Sequence, residues 1–470
     1  MIRAACHSGG GVTFALARCA AGVCSLIMMS ACSNERAPDV KAGTQALTTK
    51  ACVPTECDDA NPSTIDSCSP EGCLHRYAAP TNLSFEKITP FAPGADAEHS
   101  VIGGVNNAGV VVAMASIHTR SDIPEYYENR AFRFTPPSSY QILEPGPFVT
   151  NPVLTDGTRT FNSGIPAFAG GINDKGQTAI SVQVTFDGWY AIARDGAGTS
   201  WRDQVYGMGH AAGINASGDL AATTLSPNPP YNNYQAARWT PSGGVVLLGG
   251  LGATARAYSI SMGIADDGTV VGNAWLPATT NETPWYQAGH AFVALPGAQM
   301  VDLNSRVDPT AGWELIQANG ISPSARFIVG LGLRKNAPPG QDIRAYRYDT
   351  TTGIVKDLGE TPATGLSWAH AVNNFGDVAG LRSSGAFVFT DDYGMLDVQS
   401  LLPANSGWRV HEAKAINDSR VVLAHATRNN NGKQQILKIQ IPKPACNGGG
   451  GFAPSLIANG SFECDLSGWT

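Results

Sequence analysis

The chain has 470 residues, of which 43% are hydrophobic, so it is long and apolar enough to bury a large core. Only 15% of the residues are charged, while glycine and proline number 53 and 30, a composition typical of turn-rich β proteins. The formal net charge of −7 argues against a nucleic-acid partner, because phosphate binding requires a basic face.

Residues 1–31 are predicted to be an export signal. Arg3 and Arg18 precede an apolar stretch at residues 20–31, which is too short for a membrane-spanning helix of about 20 residues. The stretch ends in Met29-Ser30-Ala31-Cys32, which resembles the bacterial lipobox. That resemblance implies lipidation of Cys32 and anchoring at the outer membrane or cell surface. An ordinary secretory signal is the alternative, and both interpretations predict export. Residues 32–50 are polar and are expected to form a flexible tether.

A cysteine-rich module is predicted at residues 51–76. It contains an even set of four cysteines: Cys52, Cys57, Cys68 and Cys73. In an exported protein such a set favours two disulfides, with three pairings open, and a zinc site is the alternative. The segment from Cys57 to Cys68 resembles a small cysteine-rich module common in secreted proteins of myxobacteria.

Residues 81–441 contain a repeated turn phrase, in which an apolar residue precedes a polar turn that usually closes on glycine. We call its second residue the anchor. The seven anchors are Asn106, Asn173, Asn215, Ala265, Ser322, Asn373 and Asn417. They are 42 to 67 residues apart, a spacing with room for four short strands per unit.

The repeat predicts an all-β fold, a seven-bladed β-propeller with four-stranded antiparallel blades, in which the first strand of each unit lines the central channel. An apolar run follows each anchor as a second strand, and third and fourth strands come after a variable loop. The seventh unit lacks a fourth strand before Pro442. Residues 83–89 are predicted to supply that strand and close the ring.

The repeat also resembles the extracellular HAF-repeat proteins of bacteria. The resemblance is carried by His290-Ala291-Phe292, by Lys356-Asp357-Leu358-Gly359, and by the segment from Gly312 to Ser322. It implies a β-propeller-like surface protein and implies no enzyme activity.

Aromatic residues in the long loops between second and third strands are the predicted ligand-binding residues, because loops carry binding more often than scaffold strands do. They are Tyr126, Tyr127, Tyr231, Tyr234, Trp285 and Tyr286. The alternative is that each ring merely covers its own loop.

Three further sets of residues recur along the chain. His99, His210, His370 and His411 precede anchors and are predicted to be separate rather than a shared metal site. The tryptophans that open units, Trp313, Trp368 and Trp408, are interpreted as packing anchors, and Asp302, Asp357 and Asp397 as structural residues of outer strands. The sequence shows no nucleophile elbow, phosphate-binding loop or dinucleotide fingerprint, so no cofactor, no metal and no catalytic residue is predicted.

Residues 442–455 form a predicted glycine-rich linker. Residues 456–470 resemble the opening strand of a jelly-roll carbohydrate-binding module. Together these features predict an exported, lipid-anchored surface protein that binds a glycan or a surface protein. A polysaccharide-active enzyme and a structural cell-surface scaffold are the alternatives.

Overall fold

The fold is taken from a computed structural model, which describes residues 57–444 apart from short gaps. The gaps are 60, 62, 70–71, 89–96, 119–126, 144–153, 156–159, 162–166, 186–187, 195–199, 202–209, 226–233, 252–257, 277–288, 336, 338–341, 360–365 and 429–431. The predictions for the export signal, the tether, the linker and the C-terminal module lie outside these residues.

A two-stranded antiparallel hairpin precedes the main body. Its strands are β1 (Thr64–Ser69) and β2 (Gly72–Tyr77). The next strand along the chain is β3 (Phe85–Ile88). The hairpin contacts the main body directly, because the Tyr77 amide donates a 2.9 Å hydrogen bond to the carbonyl of Asp392.

Six blades are four-stranded antiparallel sheets of consecutive strands. Blade A contains β4 (Ala97–Val105), β5 (Val111–His118), β6 (Tyr127–Thr135) and β7 (Ser139–Ile142). A two-stranded sheet of β8 (Leu154–Thr155) and β9 (Thr160–Phe161) follows it. Blade B contains β10 (Ala167–Ile172), β11 (Thr178–Thr185), β12 (Gly188–Arg194) and β13 (Ser200–Trp201).

Blade C contains β14 (His210–Ile214), β15 (Leu220–Leu225), β16 (Tyr234–Thr240) and β17 (Gly244–Leu247). Blade D contains β18 (Ser259–Ile264), β19 (Val270–Trp275), β20 (Gly289–Ala294) and β21 (Val301–Asp302). Blade E contains β22 (Trp313–Ile321), β23 (Phe327–Arg334), β24 (Ile343–Asp349) and β25 (Val355–Asp357). Two 3-10 turns, Leu303–Arg306 and Pro309–Ala311, precede blade E.

Blade F contains β26 (Ser367–Val372), β27 (Val378–Arg382), β28 (Gly385–Thr390) and β29 (Gly394–Asp397), and a one-turn helix α1 (Val398–Leu401) follows it. The remaining four-stranded sheet is composite. It pairs β30 (Trp408–Ile416), β31 (Val421–Arg428) and β32 (Gln434–Gln440) with β3, which lies more than 300 residues earlier in the chain.

The prediction of a seven-bladed propeller therefore needs correction. Among the described residues, six blades are formed by four strands consecutive in the chain, and the remaining four-stranded sheet joins the two ends of the described region. The pairing itself was correctly predicted, because Phe85 lies opposite Ile439 and Ile88 opposite Ile436. The physical reason is that the last repeat has no fourth strand, so its outer edge is free for β3.

The five asparagine anchors shape the first hairpin of their units as predicted. The Asn106 side-chain oxygen accepts a 2.9 Å hydrogen bond from the Val110 amide, and Gly109 closes the turn with a φ of 75°. Asn173, Asn215, Asn373 and Asn417 cap their turns in the same way. The core lies between adjacent sheets, where alternate strand residues pack as apolar layers.

Candidate functional site

The first strands of the blades converge on an axial cavity of about 770 Å³. Residues from all seven first strands line it, and the anchor turns surround one of its mouths. The structure therefore confirms that the first strand of each unit lines the channel. A concave space of this size lies within the range of small-molecule sites in proteins.

Anchor side chains connect neighbouring sheets around that mouth. The Asn173 side-chain nitrogen donates a 2.7 Å hydrogen bond to the Asn215 carbonyl, and the Asn417 nitrogen closes the circle with a 2.8 Å bond to the Asn106 carbonyl. Asn106, Asn215 and Asn373 make the equivalent bond to the next anchor. Ala265 and Ser322 have no side-chain amide, so this circle of hydrogen bonds is interrupted at two anchors.

A second ring, one residue further along each turn, carries carboxylates whose oxygens accept hydrogen bonds from neighbouring turns. The Asn107 side-chain nitrogen donates to both Asp174 and Asp418, at 2.8 and 3.2 Å. Asn374 donates to Asp418 through its backbone and its side chain, each at 2.9 Å. The Asp266 carboxylate accepts a 2.8 Å hydrogen bond from the Ala216 amide. The hydrogen bonds of this ring therefore connect the turns of adjacent sheets.

The channel wall is asymmetric, because among the described side chains of the first strands the polar ones that line the cavity lie on three consecutive strands: β22, β26 and β30. Three residues before the anchor these strands carry Asn319, His370 and Lys414, all partly exposed. The equivalent residues of the other four strands are Gly103, Gly170, Ala212 and Met262. A side chain at Gly170 would meet the Ala211 carbonyl oxygen at 2.0 Å, so the glycine there permits close packing of two strands.

Glu412 organises the charged part of this wall. Its carboxylate accepts a 2.7 Å hydrogen bond from the His425 ring and lies 3.3 Å from the Lys414 ammonium and 3.4 Å from the His370 ring. Burial opposes ionisation, but the contacts with His370, His425 and Lys414 outweigh it and hold the pKa of the Glu412 carboxyl well below its usual range. Burial lowers the pKa of His370. The Glu412 carboxylate and the Lys414 ammonium thus form an ion pair in the channel wall.

Two residues further down, the same face carries Gln317 and Trp368, which line the cavity. Both are partly exposed, and neither side chain makes a hydrogen bond among the described residues. The recurring-tryptophan interpretation needs correction here: Trp313 and Trp408 are buried nine residues before their anchors, whereas Trp368 lies five before its anchor and faces the channel. Counting from the anchor would have separated them.

An aromatic cluster lies at the opposite end of the strands from the anchors. Tyr234 begins β16, Trp275 ends β19, and Tyr258 immediately precedes β18. The Tyr234 and Tyr258 ring centroids are 5.2 Å apart, and those of Tyr258 and Trp275 are 4.5 Å apart, both edge-to-face. All three residues are partly exposed at the junction of blades C and D. Burial raises the pKa of Tyr258.

Of the predicted ligand-binding aromatics, only Tyr234 has a described side chain, and it belongs to this cluster. Tyr127 begins β6, but its side chain lies outside the described part of the structure, as do Tyr126, Tyr231, Trp285 and Tyr286 altogether. Tyr258 and Trp275 were not predicted from the sequence, because both lie outside the long loops between second and third strands. Both flank such loops or a neighbouring connection.

The recurring histidines and aspartates do not form shared sites among the described side chains. Only His370 lines the cavity, while the His411 ring bonds the Thr427 hydroxyl at 2.9 Å and His210 is exposed. His99 has no described side chain. Asp302, Asp357 and Asp397 lie on three different outer strands, where each contacts a residue of its own blade.

The cysteine-rich module contains a disulfide between Cys57 and Cys73, with a sulfur–sulfur distance of 2.15 Å. Cys68 is also disulfide-bonded, and Cys52 lies outside the described residues. Three of the four thiols are therefore unavailable to zinc, which favours the disulfide prediction over the zinc alternative. Near them, the His75 ring bonds Asp66 at 2.9 Å and lies 3.5 Å from Asp59.

The sheets arranged around one axial cavity define a β-propeller. No protein-family model and no curated protein matches the chain. Among solved structures, it is similar to the β-propeller domain of the Trilobed protease from Pyrococcus furiosus, at 10% identity and a TM-score of 0.46, covering 74% of this chain and 97% of that one.

It is also similar to an oligogalacturonate lyase in complex with manganese, at 13% identity and a TM-score of 0.45, covering 78% and 99%. A third similar structure is the extracellular domain of the putative hybrid two component system BT4673 from B. thetaiotaomicron. There the identity is 10% and the TM-score 0.42, covering 77% of this chain and 40% of that one. No helix among the described residues is long and apolar enough to cross a membrane.

Proposed function

We propose that this protein is an exported, lipid-anchored bacterial surface protein whose propeller binds a glycan. The export signal, the cysteine at position 32 and the disulfide-bonded module support the location. The HAF-like repeat and the resemblance of residues 456–470 to a carbohydrate-binding module support the binding role. The propeller supplies a rigid frame, and the variable connections supply the recognition surface.

The cluster of Tyr234, Tyr258 and Trp275 carries the proposal. Aromatic rings stack on the apolar faces of sugars, and their hydroxyl and indole groups can bond sugar hydroxyls at the ring edge. These three rings support one another edge-to-face, so little conformational entropy is lost on binding. They remain partly exposed, as a contact surface requires.

A glycan array with purified protein tests the proposal. The wild-type protein is expected to bind a subset of polysaccharide fragments. The double variant Tyr258→Ala, Trp275→Ala is expected to lose at least about tenfold in affinity, because removing an aromatic anchor from a binding site typically costs about 1.4 kcal/mol or more. Circular dichroism checks that the variant is folded.

The matched control is Tyr393→Ala. Tyr393 is also partly buried and also contacts a tyrosine ring edge-on, but it lies at the anchor end of blade F, beside Tyr77. Its removal is expected to leave glycan binding unchanged. Equal binding by wild type, cluster variant and control would contradict the assignment of the site, and the absence of any glycan ligand would contradict the function.

A further inference from the structure

We propose that the axial cavity is a second binding site, separate from the aromatic cluster, and that it takes a small, uncharged, hydroxyl-rich molecule of sugar size. The wall of this cavity is asymmetric. Gln317 and Asn319 on β22, Trp368 and His370 on β26, and Lys414 on β30 all face the cavity. Asn319, His370 and Lys414 each lie at a register shift of their strand, so on β22 and β26 the bulge brings two side chains to the channel instead of the one that strict alternation would give.

The fold does not require polar side chains at these positions. Every blade must pack its first strand against its neighbours, and Ile102-Gly103 on β4 and Ala169-Gly170 on β10 line the cavity with apolar and small residues. Among the described side chains of the first strands, polar groups line the cavity only on β22, β26 and β30. Repetition therefore explains the small residues, but gives the Gln317 amide and the Trp368 indole no structural role among the described residues.

Three side chains in the wall have polar groups that make no hydrogen bond among the described residues. Asn319 uses its side-chain nitrogen in a 2.9 Å bond to the Ala369 carbonyl, which holds the amide in place while its oxygen makes no bond among the described residues. Gln317 and Trp368 use none of their side-chain groups there. The cavity thus offers one amide with donor and acceptor, one further acceptor and one indole donor.

The charged groups at the cavity favour an uncharged ligand. Each charged group at the cavity has a partner: Lys414 lies 3.3 Å from Glu412, and Asp174 and Asp418 accept from Asn107. An anionic ligand would have to compete with Glu412 for the Lys414 ammonium, and would meet the carboxylates of the anchor mouth. A cationic ligand would have to compete with Lys414 and the histidines for Glu412, and with the Asn107 amide for the carboxylates of Asp174 and Asp418. An uncharged ligand with several hydroxyls satisfies the open groups and breaks neither pairing.

The test uses the full chain and four neutral probes: glucose, galactose, maltose and cellobiose. Glucuronate and glucosamine serve as anionic and cationic counterparts, and isothermal titration calorimetry measures binding. At least one neutral probe is expected to bind, and more tightly than either charged counterpart. Gln317→Ala and Trp368→Phe are each expected to weaken that binding at least threefold, because each removes hydrogen-bonding groups that face the cavity.

The matched control is Arg409→Ala, which changes an exposed residue of β30 that does not line the cavity, and it should bind as wild type does. The Tyr258→Ala, Trp275→Ala variant should also keep cavity binding, so that failure of this site and failure of the glycan surface are distinguishable. The proposal is overturned if no neutral probe binds, if a charged counterpart binds more tightly, or if both cavity variants bind as wild type does.

Discussion

At the scale of single residues, Arg420 shows how one repeat departs from the rest. It stands where five of the other six turns end in glycine and the sixth in Ala325, and it keeps their left-handed backbone, with a φ of 61°. Its guanidinium is buried and bonds Asp377 at 2.9 Å and Asp392 at 2.5 Å. Both partners belong to blade F, so this ion pair joins blade F to the composite sheet.

Arg420→Gly is expected to destabilise the protein by roughly 3 kcal/mol, even though glycine suits the backbone angle better. The variant leaves the Asp377 carboxylate buried without its cation, and breaking a buried pair typically costs about 3–5 kcal/mol. Urea unfolding measures the loss. Arg326→Ala, which breaks the exposed pair with Asp349, is the control and should change stability by less than about 1 kcal/mol.

Glu412 predicts a pH dependence with a definite sign. Because its pKa is lower in the folded protein than in the unfolded chain, its contribution to stability is fully present above the ordinary carboxylate pKa of about 4.3. That contribution is lost as the pH falls through the lowered pKa. The melting temperature of the wild type should therefore fall further between pH 6 and pH 3 than that of Glu412→Gln. Parallel curves would show that Glu412 makes no such contribution.

At the scale of elements, the sequence predicts strands well and side-chain partners poorly. The Asn–Gly turns and alternating runs predict the four strands of a unit, because turn geometry and burial are local properties. The free edge of the last repeat predicts the pairing of β3 with β32. The equal treatment of seven repeats hides which first strands carry polar groups, since Asn319, His370 and Lys414 become neighbours only when three strands come together around the axis.

The spacing of first strands can be tested at Gly170. A methyl group there would meet the Ala211 carbonyl oxygen, whereas at Gly104 the nearest atom lies 3.5 Å away, an ordinary contact. Gly170→Ala is expected to cost about 1–3 kcal/mol by forcing β10 and β14 apart. Gly104→Ala should cost clearly less. Thermal unfolding of the two variants compares them, and equal losses would argue against close packing at Gly170.

At the scale of the whole molecule, the proposed location rests on Cys32, which lies outside the described residues. If Cys32 is lipidated, Cys32→Ser should move the protein from the membrane fraction to the soluble exported fraction, since the acyl chains provide the anchor. Cell fractionation with immunoblotting measures the shift. Ser33→Ala is the control and should fractionate as wild type does. Unchanged membrane association of Cys32→Ser would contradict lipid anchoring.

Closure of the ring depends on a strand of only four residues, β3, and Ile88 at its end is 1% exposed. Ile88 packs with Phe132 of blade A and Leu423 of the composite sheet, so it joins the two ends of the described chain. Ile88→Ala should cost about 2–5 kcal/mol, because it leaves a cavity at this junction. Its neighbour Lys87 is exposed, and Lys87→Ala should change stability by no more than about 0.5 kcal/mol. Denaturant unfolding compares the free energies of unfolding of the two variants.

If β3 closes the ring, Ile88→Ala should also increase hydrogen exchange in β30–β32 and β4 before other strands, because losing the closing strand exposes both sides of the junction. A uniform increase over all blades would show that stability is shared around the ring and that β3 has no special part in closing it.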